Sequence, residues 1–109
     1  MTNFLSTVIN HRIRVYRMAI TKHTKDFLDN LIDYYINEAP SYRQIAESYS
    51  PEIAAVDDAA FGIITGCVYS AFLRAYENEN KSVELDDIQE FNAMIKERAA
   101  RIKKAVTST

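Results

Sequence analysis

Apolar positions recur every three or four residues in the long segments of this chain, the period of a helix that buries one side. At about 100° per residue, Phe4, Leu5, Val8, Ile9, Ile13, Tyr16 and Ile20 gather on one face of the first segment, with Asn3, Ser6, Asn10, Arg14 and Arg17 opposite. Only residues 12–15, "RIRV", alternate as a strand would, so the pattern predicts a helix over about 2–20. Arg12 falls inside its apolar face and is the candidate for a buried ion pair, with Asp57 or Asp58 as the acid.

In the second segment Thr24 stands where an N-cap belongs, and a helix is predicted to about Glu38. Phe27, Leu28, Leu31, Ile32 and Tyr35 line one side of it; Asp26, Asp29 and Asp33 line the other as a solvated stripe. Pro40 ends it by pushing residue 39 out of the helical region. Ser41 and Gln44 have capping-box spacing and predict a short helix through "YRQIAESY", residues 42–49. Ser50-Pro51 pairs a capping hydroxyl with a proline at the first helical position, predicting a long helix over 51–77 with an irregularity at Asp57-Asp58. The polar run "ENENKS", residues 77–82, reads as a loop. Ile88, Phe91, Ile95, Ala99, Ile102 and Val106 then space out a last helix over about 86–106.

The longest uncharged run, "AAFGIITGCVYSAFL", covers residues 59–73. A membrane span needs about twenty mostly apolar residues, so this run predicts the spine of a bundle and no membrane partner. Within it Gly62, Gly66 and Ser70 repeat every four residues and form a small-residue ridge for close helix contact. Each glycine costs a helix roughly 1 kcal/mol relative to alanine, so the ridge calls for a packing partner. That partner is an earlier helix of the same chain or the same helix of a second subunit.

The fold class is therefore all-α: a compact bundle of four main helices plus one short helix, with a central buried helix over 51–77. Two glycines and two prolines are too few to punctuate an all-β chain. With 109 residues, one domain spans 1–109, with an ordered core over about 3–106. A domain of this size buries only about two-thirds of its unfolded surface, which leaves apolar area for a partner.

Charge changes the picture by its layout. The net charge is −2, yet residues 1–25 hold five basic groups and no acid, and the tail from Lys96 is basic again. Between them lie fourteen of the fifteen acids. Such asymmetry marks a nucleic-acid surface, or helices whose charges complement each other on packing. Arg14, Arg17, Lys22, Lys25, Lys96, Arg101, Lys103 and Lys104 are the candidate phosphate contacts of the first reading. No basic recognition helix in a helix-turn-helix pattern accompanies them.

Catalytic and metal signals do not emerge. His11 and His23 have no ligand spacing, Cys67 is alone and forms no disulfide within the chain, and there is no glycine-rich phosphate loop. Around the loop, Asn78, Asn80, Ser82, Glu84 and Asp86 alternate like calcium ligands, but Val83 replaces the glycine and Gln89 the bidentate glutamate of an EF-hand. No metal, cofactor or catalytic set is expected. A lone cysteine and no secretory signal pattern lead to the expectation of a cytoplasmic protein. Tyr34, Tyr35, Tyr42 and Tyr49 cluster around the two prolines and form the candidate protein interface. The leading expectation is a non-enzymatic protein–protein interaction or regulatory module, homodimeric or bound to a larger protein. A small nucleic-acid-binding regulator using the basic ends is the alternative.

Overall fold

A threonine pair opens the first helix. In the computed structural model, which describes residues 19–107, the Thr21 hydroxyl accepts the Thr24 backbone N–H at 3.3 Å and caps α1, Lys22–Asn37. Thr24, expected as the cap, lies instead in the first turn with its side chain buried. The expected helix over 2–20, with Arg12, Arg14 and Arg17, lies outside the described residues apart from its last two positions, which precede α1.

Pro40 does not break the helical path as anticipated. α1 ends at Asn37, Glu38 turns the chain, and α2, Ala39–Glu47, begins at once with Pro40 in its first two positions, where a missing N–H costs nothing. Ser41 is inside α2 with its N–H on the Glu38 carbonyl at 3.0 Å, so the Ser41–Gln44 spacing does not mark a cap.

The long helix also starts later than its proline implied. The Ser50–Pro51 peptide is cis, residues 51–55 form a turn and a connector, and α3 runs over Val56–Asn78. Asp57 and Asp58, expected to mark an irregularity, occupy its first turn, where negative charge suits the exposed backbone N–H groups. Its C-terminus closes with the Lys81 N–H on the Tyr76 carbonyl (2.9 Å) and the Asn80 N–H on the Glu77 carbonyl (3.0 Å). Asn80 supplies the positive φ, 56°, that this closure requires. α4 then runs over Leu85–Thr107. Asp87 accepts the Glu84 N–H at 2.8 Å and the Tyr76 hydroxyl at 2.9 Å, tying the start of α4 to the end of α3.

The described residues thus form an all-α bundle of four helices, every pair in contact. The short helix expected over 42–49 is met by α2, shifted to Ala39–Glu47, and no fifth helix is shown among the described residues. The core is organised by one row on α3: Ala60, Ile64, Val68, Phe72 and Tyr76, each at most 4% exposed. Leu28 and Ile32 of α1, Ala39 and Ala46 of α2, and Phe91, Met94, Ile102 and Val106 of α4 close around it. Phe72 stacks on Phe91 at 4.7 Å and meets Tyr76 at 4.9 Å.

α3 is not buried all round, contrary to expectation. The other three helices gather on one side of it, and of its most apolar 18 residues only 22% are buried. By length and composition alone, with a mean hydropathy of 1.3 in that window, it is the one described helix long and apolar enough to cross a membrane.

Phe72→Ala should lower unfolding free energy by about 3–5 kcal/mol, since a fully buried ring with three aromatic neighbours leaves a cavity. Urea unfolding followed by circular dichroism measures this; a loss near 1 kcal/mol would mean the core closes elsewhere.

Candidate protein-interaction face

Residues four apart on a helix form an oblique row, and a second row offset by two residues, about 200°, lies on the opposite side. The buried row of α3 starts at Ala60. The row offset from it is Asp58, Gly62, Gly66, Ser70 and Arg74, and all five residues are exposed. Opposition of the two rows persists along the helix because both drift at the same rate. A Cβ added at Gly62 or at Gly66 would meet nothing within 4 Å. Among the described residues, then, no helix crosses the small-residue ridge; of the intramolecular partners envisaged, α1 is described and does not cross it, while residues 2–18 lie outside.

The flanks of this row are apolar. Phe61, Ile63, Cys67 and Tyr69 are half-buried, and Leu73 is exposed. The Thr65 hydroxyl turns back onto the Gly62 carbonyl at 3.2 Å, satisfied within the helix. No charged side chain occurs between Asp58 and Arg74. At the Asp58 end a shallow hollow of about 320 Å³ is lined by Phe61, Ala99, Ala100 and Lys103. At the Arg74 end another, of about 410 Å³, is lined by Phe27, Ala71, Ala75 and His23 among others. Phe27, predicted as core, is 45% exposed there. Asp58 pairs with Lys103 on α4, whereas Arg74 makes no ion pair among the described residues.

The remaining charges knit the helices together. Arg43 of α2 reaches Asp57 at the start of α3 and the Val106 carbonyl of α4 at 2.9 Å, while the Thr107 hydroxyl donates to Asp57 at 3.0 Å. The Arg43 guanidinium, with help from Thr107, holds the Asp57 carboxyl below its ordinary pKa. Arg98 of α4 bridges Asp29 and Asp33 of α1. The aspartate stripe is therefore not merely solvated. Glu90 of α4 accepts the backbone N–H groups of Ala19 (2.7 Å) and Ile20 (3.3 Å), fixing where the chain enters α1.

The candidate phosphate contacts fall into three groups. Lys22 and Lys25 sit on Asp26 (2.8 Å) and Asp29 (3.1 Å), Arg101 is 3.8 Å from Asp33, and Lys103 holds Asp58. Lys96 is exposed on α4 and Lys104 stands in its last turn. Arg14 and Arg17, with the ion-pair candidate Arg12, lie outside the described residues.

Three of the four candidate tyrosines are in ring contact. Tyr34, Tyr35 and Tyr42 make an edge-to-face ladder with centroids 5.3 and 5.2 Å apart, while Tyr49 stands exposed at the turn after α2. Burial, aided by the neighbouring Cys67, pushes the Tyr35 phenol up to about 12 and raises that of Tyr42. Burial, aided by its hydrogen bond to Asp87, also raises Tyr76. No three His, Cys, Asp or Glu side chains among the described residues converge as metal ligands would.

Sequence reasoning found the ridge but not its ends. The signal was present: Asp58 and Arg74 continue the same four-residue spacing, with opposite charges. Comparison of the chain with protein-family models, curated proteins and solved structures finds no match.

Two measurements follow from this geometry. At concentrations where the chain is monomeric, Gly62→Ala and Gly66→Ala should each raise unfolding free energy by about 0.5–1 kcal/mol, because helix propensity improves and nothing among the described residues stands in the way of the methyl; destabilisation there would reveal a contact within the chain at the ridge. Stability should also fall above pH 10, where unfolded tyrosines ionise while Tyr35, Tyr42 and Tyr76 retain their protons. The contribution is complete below the ordinary tyrosine pKa and lost as pH rises through the folded values. Urea midpoints across that range, with Tyr76→Phe as control, test it; equal slopes for both proteins would exclude a Tyr76 contribution.

Proposed function

We propose that this chain is a helical protein–protein interaction module that binds through the outward face of α3. One observation carries the reading: between Asp58 and Arg74 the outward row of α3 is uncharged and made only of small residues, Gly62, Gly66 and Ser70, with the half-buried Phe61, Ile63 and Tyr69 and the exposed Leu73 along its flanks. An uncharged strip of small residues with apolar flanks suits a contact surface, because covering those flanks gains roughly 25 cal/mol per Å² of apolar area removed from water. Small residues along its middle let another backbone approach closely.

A protein suits the face better than lipid does. Asp26 and Asp33 of α1 and Lys96, Glu97 and Lys103 of α4 are exposed on the helices packed against α3, and a bilayer that took in this bundle would have to bury them. The nucleic-acid reading has less support, since Lys22, Lys25, Arg101 and Lys103 stand beside carboxylates of this same chain. The Tyr34–Tyr35–Tyr42 ladder is a secondary contact candidate on the α1–α2 side.

Gly66→Arg tests the face. The substitution should leave the circular dichroism spectrum and thermal unfolding intact, while abolishing self-association and removing any protein captured from lysate by the unmodified chain. A variant that folds and keeps every association would exclude α3 as the binding surface.

A further inference from the structure

We infer that the occupant of the α3 face is the α3 of a second copy, running antiparallel, with Gly66 at the two-fold axis. This rests on reading the outward face as a docking surface. It adds the identity of the partner and the register.

The face carries the argument through its charges. Arg74 and Asp58 are the only charged residues of the exposed row, and they stand eight residues to either side of Gly66. At a rise of about 1.5 Å per residue, each is about 12 Å from the centre along the helix axis. Antiparallel pairing about Gly66 therefore sets each Asp58 opposite the Arg74 of the other copy, twice over. Parallel pairing sets Asp58 against Asp58 and Arg74 against Arg74, so repulsion at both ends selects the antiparallel form.

The uncharged middle obeys the same symmetry. Gly62 and Ser70 lie four residues either side of Gly66, so each small residue meets another small one across the axis. Two identical four-residue rows packed together belong to the commonest class of helix crossing, about −50°, in which the rows stay aligned while the axes diverge. Phe61 and Leu73, on the edge of the face, then bury apolar surface that the other described residues leave uncovered. Asp58 is free to take the second contact: its side chain is 70% exposed, and Lys103 occupies one of its two oxygens. Arg74 is exposed and has no other ion pair among the described residues.

Sedimentation equilibrium at micromolar concentration and low salt is the test. The unmodified chain should run at about 25 kDa, twice its 12.5 kDa. Arg74→Glu should weaken the dimer about tenfold or more, as like charges replace two attractive contacts, and the effect should shrink as salt rises. Combining it with Asp58→Lys swaps both signs and should restore dissociation to within about threefold of the original, which holds only for antiparallel pairing. Gly66→Leu should give a folded monomer. A monomeric unmodified chain would overturn the proposal, and so would a dimer indifferent to Gly66→Leu or a double swap that fails to rescue. A monomer whose capture of another protein is still lost on Gly66→Arg would leave the docking face standing and remove only the self-pairing.

Discussion

Everything in this fold is referred to a single row of side chains, Ala60–Ile64–Val68–Phe72–Tyr76. A row with four-residue spacing is narrow, and three helices converge on it. α2, nine residues long, is too short to hold its conformation unaided and depends on that contact. Ala39 and Ala46 allow it to lie close, both essentially without exposure. The aromatic end of the row, where Phe72 stacks on Phe91, binds α3 to α4 and places Tyr76 to hold Asp87. Packing and capping thus meet at one point, so the turn between the two longest helices is specified twice.

Around that row the charges are arranged to be used up. Acidic α1 meets the arginines of α4, and the acidic start of α3 meets Arg43, Lys103 and Thr107. Exposed pairs of this kind contribute little stability each, about 0–1 kcal/mol. Their larger effect is on orientation: Arg43 touches three helices, and its bonds fix how their ends meet. Among the described residues, Arg98, Arg101 and Lys103 spend their charge on carboxylates of other helices, and this weakens the reading of the asymmetry as a field for phosphates.

Helix existence and type were legible because the apolar period is strong in α1 and α4 and the uncharged run of α3 is long. The starts were not. Capping hydroxyls at Thr24, Ser41 and Ser50 matched local rules, but Thr21 took the first role, and turns around Glu38 and Pro51 displaced the other two starts. Several residues compete for each cap, and tertiary contacts such as the Glu90 clamp on Ala19 and Ile20 decide among them. The candidate site was half visible. Spacing gave Gly62, Gly66 and Ser70, while a run uncharged on every side gave no sign of which side faces outward. A uniform pattern carries no direction, so only the placement of the other helices reveals it.

That placement turns the glycines into the most informative residues of the chain. In the interior of a soluble bundle, a glycine allows a neighbour to come close and the gain in contact offsets its cost. Gly62 and Gly66 have no such neighbour among the described residues, so together they cost the helix about 2 kcal/mol relative to alanine with nothing inside the described fold to offset it. A face that needed only to be soluble would carry alanine, lysine or glutamate there, all better helix formers. The residues present are those that keep a backbone bare and its surroundings apolar. Such a surface is a poor solvent face, and the pairing proposed for it would supply the compensating free energy.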